Sequence, residues 1–184
     1  NIGWDVTWLS TSENNFNKVK GLTFHKLRAP FFLALSDAIR VIRSTNPSLV
    51  HAHYVGKYGL IAALSGFKPL IITAWGSDII FGSTHFFKRF LVKYILNRSH
   101  LITCDAIHMK NAMIKLGANA EKIRVILFGV DTKKFFPEKN KSNISVDEKN
   151  TPLLVLSIRD FEPVYNVKSL IFAANIVLDK YPDT

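Results

Sequence analysis

Four short stretches carry side chains able to do chemistry: His51-Ala52-His53-Tyr54, Trp75-Gly76-Ser77-Asp78, Gly129-Val130-Asp131 and Ser157-Ile158-Arg159. A histidine at the carboxyl end of a strand can hydrogen-bond a sugar hydroxyl or phosphate, or serve as a base. Strand alternation puts His51 and His53 on one face and Ala52 on the other. The competing reading is a structural histidine bonded to backbone carbonyls. Gly76 permits a tight turn or the close approach of a ligand, and Ser77 and Asp78 can cap a following helix or bind something. Gly129 permits a positive backbone angle or a close approach, and Asp131 can cap the next turn; both can also be plain punctuation at a domain end. Arg159 can pair bidentately with a diphosphate, or stand as a solvated surface arginine.

Positioning these groups at one place requires strands that end at a common edge. Residues 70–74 form a short apolar run rich in β-branched side chains, opened by Pro69, and read as a strand buried on both faces of a parallel sheet. Ligands of open α/β sheets bind beyond the carboxyl ends of such strands, which puts residues 76–78 at the candidate site. Further strands are expected over 5–10, 21–27, 49–53, 100–104, 122–127 and 152–158. Helices are expected over about 31–43, 56–66, 84–97, 106–116 and 166–180, with Asp105 as an N-cap and Gly66 and Gly117 as stops. Strands alternating with helices through short connections predict βαβ units, and hence a doubly wound parallel sheet of α/β class.

In the helix near residue 90, Phe87, Phe90, Leu91 and Tyr94 share one side, while Arg89 and Lys93 stand together elsewhere. Either the aromatic side faces the core and the basic side is solvated, or the helix lies on an anionic membrane. Residues 138–150 are polar, charged and aperiodic, as in a linker. Residues 151–184 supply one strand and one helix, the opening of a second domain.

The chain has 184 residues, is 48% hydrophobic and carries a net charge of +10. That charge favours a nucleotide diphosphate, a membrane surface or nucleic acid. Nucleic acid is disfavoured because no helix-turn-helix, RNP or zinc pattern occurs and the lysines are scattered. No Gly-x-Gly-x-x-Gly follows a strand, which argues against a dinucleotide dehydrogenase. Histidine spacing and the single Cys104 offer no metal site. No apolar run spans a bilayer and no signal pattern opens the chain, so a cytoplasmic setting is expected, with Asn97-Arg98-Ser99 and Asn143-Ile144-Ser145 as chance glycosylation patterns.

In order, His51-Ala52-His53, Ala74 to Asp78, Gly117 with Glu121 to Ile126, Gly129-Val130-Asp131 with Phe136-Pro137, and Leu156 to Arg159 with the helix from Lys168 resemble the GT-B glycosyltransferases of family 4. The resemblance implies two Rossmann-like domains around a cleft: an acceptor-side domain over 1–137, a linker over 138–150 and the start of a donor-binding domain over 151–184. It implies transfer of a sugar from a nucleotide-diphosphate sugar to an acceptor hydroxyl, usually with retention and without a cofactor or bound metal. His53 would lie near the transferred sugar or its phosphates. Gly76, Ser77, Asp78, Gly129 and Asp131 would line the acceptor side of the cleft, and Arg159, with Lys168 further on, would meet the donor phosphates. Residues 3–7 match the family's second strand, so a central first strand would be missing and its neighbours unpaired. The donor-domain glutamates would lie beyond Thr184, leaving the chain inactive alone. The expected partners are a nucleotide-sugar donor, a sugar or lipid-linked acceptor and an anionic membrane surface. A non-catalytic sugar- or nucleotide-binding module is the alternative.

Overall fold

The computed structural model describes residues 3–13, 19–80, 86–136 and 155–181. Contacts divide the chain into Asn1–Gly129 and Val130–Thr184. The first unit is α/β with wholly parallel ladders, as in a Rossmann-like fold. Strands β1 (Val6–Ser10) and β2 (Leu22–Lys26) form a two-stranded sheet. Strands β3 (Val50–His53), β4 (Leu70–Thr73), β5 (Leu101–Cys104) and β6 (Ile123–Val125) form a second sheet in that spatial order. Among the described residues, β1 pairs with β2 alone and β3 with β4 alone.

Helices α1 (Phe31–Thr45), α2 (Lys57–Ser65), α3 (Ser77–Ile80), α4 (Phe86–Arg98) and α5 (Ile107–Lys115) alternate with the strands. The period-2 pattern sorts the larger sheet into two unlike faces. Ala52, Ile72, Ile102, Cys104 and Ile123 form one core with Ala62 and Ala63 of α2, Val92, Ile95 and Leu96 of α4, and Met109 and Met113 of α5. Ile72 and Ile102 are fully buried, each worth about 1.5–3 kcal/mol by area removed from water. The opposite face carries His51, His53, Ile71, Thr73 and Thr103 and, Thr73 apart, is less buried. A glycine lets α2 close on the β3 turn: a Cβ at Gly59 would lie 3.0 Å from the Tyr54 carbonyl oxygen and 3.2 Å from Ile95.

The small sheet is tied on by a second cluster, in which Leu27, Ala34 and Ala38 pack with Ile61. The Tyr58 hydroxyl adds a polar clamp, 3.0 Å from the Thr11 hydroxyl and 3.3 Å from the Thr11 amide. Asp37 of α1 accepts two guanidinium hydrogen bonds and one amide bond from Arg28. That side-chain pairing lowers the carboxyl pKa to about 2.

Several sequence expectations need correction. Ala106, without a side-chain cap bond, precedes α5 where Asp105 was expected as the cap, and Leu116 takes the C-cap position, with Gly117 (φ +95°) one residue beyond. In α4 the core side is Val92, Ile95 and Leu96, whereas Phe87 and Phe90 are exposed. The helix has a second apolar side, and it is the opposite one, with Val92, Ile95 and Leu96, that packs into the core. Residues 155–158, within the strand expected over 152–158, carry no strand, and Val155, Leu156 and Ile158 are exposed. A strand needs a ladder partner, and none is present among the described residues. Residues 151–154 and the expected linker lie outside the described residues. In the second unit α6 (Val167–Lys180) follows a 3-10 turn over Pro163–Tyr165. Among the described residues no helix is long and apolar enough to cross a membrane.

Candidate functional site at the carboxyl ends of β3 and β4

Parallel pairing ends β3 and β4 side by side, with His53 opposite Thr73. From there a row of rings extends: His51 and His53 have centroids 4.3 Å apart, His53 and Trp75 5.9 Å, and Trp75 stacks on Phe128 at 5.3 Å with planes 20° apart. Trp75 and Phe128 remain about half and two-thirds exposed, at 49% and 65%. Their surfaces are therefore open to a ligand while their stacking fixes the rim.

Beneath the rings lies a hydrogen-bonded polar row. His51 Nε2 is 2.7 Å from the Thr73 hydroxyl, which is 2.7 Å from the Thr103 hydroxyl. The row crosses three strands because these residues share the open face of the sheet. Partial loss of water around each ring lowers both histidine pKa values, and the neighbouring His53 charge adds to the effect at His51. Both rings are therefore neutral at pH 7 and able to accept as well as donate a hydrogen bond.

This depression fixes the sign of a pH effect. The unfolded chain, with histidines near 6.5, takes up protons before the folded one does. The associated stability is complete above that value and is lost as pH falls below it toward the folded values. Urea midpoints should fall on acidification through this window, and His51→Gln with His53→Gln should flatten the dependence. An unchanged slope in that double variant would contradict the assignment.

Asp78 holds the rim together. The residue is 4% exposed. One oxygen accepts from Trp75 N at 3.1 Å and Gly76 N at 2.9 Å, and the other accepts from Val55 N at 2.7 Å. The turn after β4 is thus fastened to the turn after β3. Gly76 adopts φ +107°, open to a residue without a Cβ. Tyr54 adopts φ +83°, a strained angle for a bulky residue, costing about 1–3 kcal/mol. Its backbone is fixed by donation to the Thr73 carbonyl at 2.9 Å and acceptance from Gly59 at 3.0 Å. The twist leaves the Tyr54 hydroxyl 3.4 Å from the Ser77 hydroxyl at the exposed edge.

Of the residues singled out in the sequence, His53, Gly76, Ser77 and Asp78 therefore share one rim. Gly129 follows Phe128 directly, but it is not among the positive-φ residues and no atom lies within 4 Å of an added Cβ. Asp131 belongs to the second unit and caps its turn, accepting from Lys133 N at 3.0 Å and Lys134 N at 3.3 Å. Also in that unit, the Arg159 guanidinium stands 5.2 Å from the Tyr165 ring centroid and Lys168 Nζ 5.5 Å from that of Phe172. Sequence reasoning missed the Thr73–Thr103 pair and Phe128 as parts of the site. The threonines could have been found from strand alternation, since Thr73 ends its strand and Thr103 is the last residue but one of its own, both on the face that carries His53. Phe128 gives no such signal, lying outside any regular element.

The sequence profile of the family described as Glycosyl transferase 4-like matches residues 1–106. A relative from Methanocaldococcus jannaschii, described as an uncharacterized glycosyltransferase, is 25% identical over 131 residues. That match covers 66% of this chain and 36% of the relative, so the chain spans about a third of the relative's length.

Proposed function

The chain belongs to the glycosyl transferase 4-like family, and from that premise we propose that it is the acceptor side, with the start of the donor side, of a retaining GT-B glycosyltransferase. The reaction moves a sugar from a nucleotide-diphosphate sugar to an acceptor hydroxyl in glycan, glycolipid or envelope polysaccharide synthesis. The bond from the anomeric carbon to the diphosphate oxygen breaks with its electrons going to the diphosphate, a bond to the acceptor oxygen forms, and the acceptor proton departs. The setting is cytoplasmic, at or near the inner face of a membrane.

The observation that supports this reading is the rim of His53, Trp75, Ser77 and Tyr54. A sugar presents an apolar C–H face and a polar edge, and the rim offers a flat aromatic surface beside hydroxyls and a neutral imidazole. His53 hydrogen-bonds the sugar being transferred, Gly76 and Ser77 line the acceptor, and Asp78 positions them. Arg159 and Lys168 neutralise the charge that collects on the departing diphosphate. Gly129 and Asp131 mark the passage to the donor side.

A panel of nucleotide-diphosphate sugars, with release of nucleoside diphosphate as the readout, tests the proposal. A longer form of the protein that includes a complete donor domain should turn over at least one donor when acceptor is supplied. The 184-residue chain alone should turn over none. Turnover by the short chain, or silence of the long form across donors and lipid-extract acceptors, would refute it.

A further inference from the structure

We propose that the outward side of the first half of α4 is a docking surface for an anionic phospholipid bilayer. Phe86, Phe87 and Phe90 are 90%, 70% and 62% exposed. They occupy the helix opposite its buried side of Val92, Ile95 and Leu96, since residues about 100° apart per step place Phe86 and Phe90 in one stripe. The helix therefore has two apolar sides: one covers the sheet and the other meets solvent. Single exposed apolar residues are ordinary, but three neighbouring phenylalanines are not.

The charge around this stripe selects the occupant. Arg89 and Lys93 are exposed on the flank of the rings, and α4 contains no acidic residue. Arg89 and Lys93 are one turn apart and flank the line from Phe86 to Phe90. The Lys93 stem runs over Gly117, where an added Cβ would lie 3.1 Å from its Cε. Aromatic rings at the acyl boundary with cations at the headgroups are the arrangement of an interfacial helix. A second copy of a chain charged +10 would bring like charges against these cations, so bilayer anions suit the patch better.

Co-sedimentation of the 184-residue chain with vesicles tests this without any catalytic readout. Vesicles of phosphatidylcholine with phosphatidylglycerol should bind the chain at low salt, and vesicles of phosphatidylcholine alone should bind it weakly. Raising the salt and the double variant Arg89→Gln, Lys93→Gln should each lower partitioning about tenfold. The triple variant Phe86→Ser, Phe87→Ser, Phe90→Ser should lower it by about tenfold or more, with little change in thermal midpoint because these rings are mostly exposed and lie outside the buried core. The single variant Phe90→Ser should give an intermediate loss. Absence of binding to anionic vesicles, or binding that the triple variant retains, would overturn the proposal. So would sedimentation that proceeds equally without vesicles, or binding that single-stranded DNA competes away from the triple variant.

Discussion

Replacing Asp78 with alanine is expected to cost about 3–5 kcal/mol of folding stability, read from urea unfolding. At about 2–4 °C per kcal/mol for a chain of this size, the thermal midpoint should drop by about 10 °C. The substitution strips acceptors from the amides of Val55, Trp75 and Gly76, and the Val55 hydrogen bond is buried. An unmet buried amide costs far more than a hydrogen bond normally contributes, because water no longer reaches it. Asp78→Asn is the sharper control. Its single carbonyl oxygen can serve Trp75 and Gly76 or else Val55, and the amide nitrogen then faces another donor. Asparagine should therefore lose most of what alanine loses. A cost under about 0.5 kcal/mol for Asp78→Asn, the range of ordinary surface substitutions, would remove Asp78 from its role at the rim.

The second large effect concerns turnover. In a form that includes a complete donor domain, His53→Ala should lower kcat about a hundredfold, the lower end of what one hydrogen-bonding group aimed at the charge developing in the transition state contributes. KM for the acceptor should change much less. His51→Ala should cost less than His53→Ala, because His51 leans on Thr73 while His53 lies beside Trp75 at the rim. The pH profile carries the sign. In the proposed role His53 acts in its neutral form, and burial lowers its pKa from 6.5, so kcat should fall only on the acid side of that value. An activity within threefold of the parent, or a profile that rises on acidification, would exclude His53 from the reaction.

Much of this architecture is legible in the residues. The Leu70–Thr73 run announces a buried strand through its β-branched side chains. Gly66, at φ +75°, announces the end of α2. The edge shared by His53 and Gly76 follows from parallel strands alone. Asp78 was legible only as a cap or a ligand, because its decisive partner, the Val55 amide, stands on another strand's turn. The apolar side of α4 was misread because helical spacing records which residues align and not which of two apolar sides faces the core. The run at 155–158 shows the complementary failure: β-forming residues make no strand without a neighbour to receive their hydrogen bonds.

Every ladder among the described residues is parallel, and this governs how the fold assembles. Parallel neighbours cannot be joined by a tight hairpin, so each pairing must close a loop around intervening chain before any ladder bond rewards it. For β4 and β5 that loop contains α3 and α4. Such long-range pairing is intrinsically slower than the local formation of helices. During that interval Leu70–Thr73, apolar and β-prone, waits without neighbours on either edge. An apolar, β-prone segment left unpaired in that interval is open to pairing between copies of the chain.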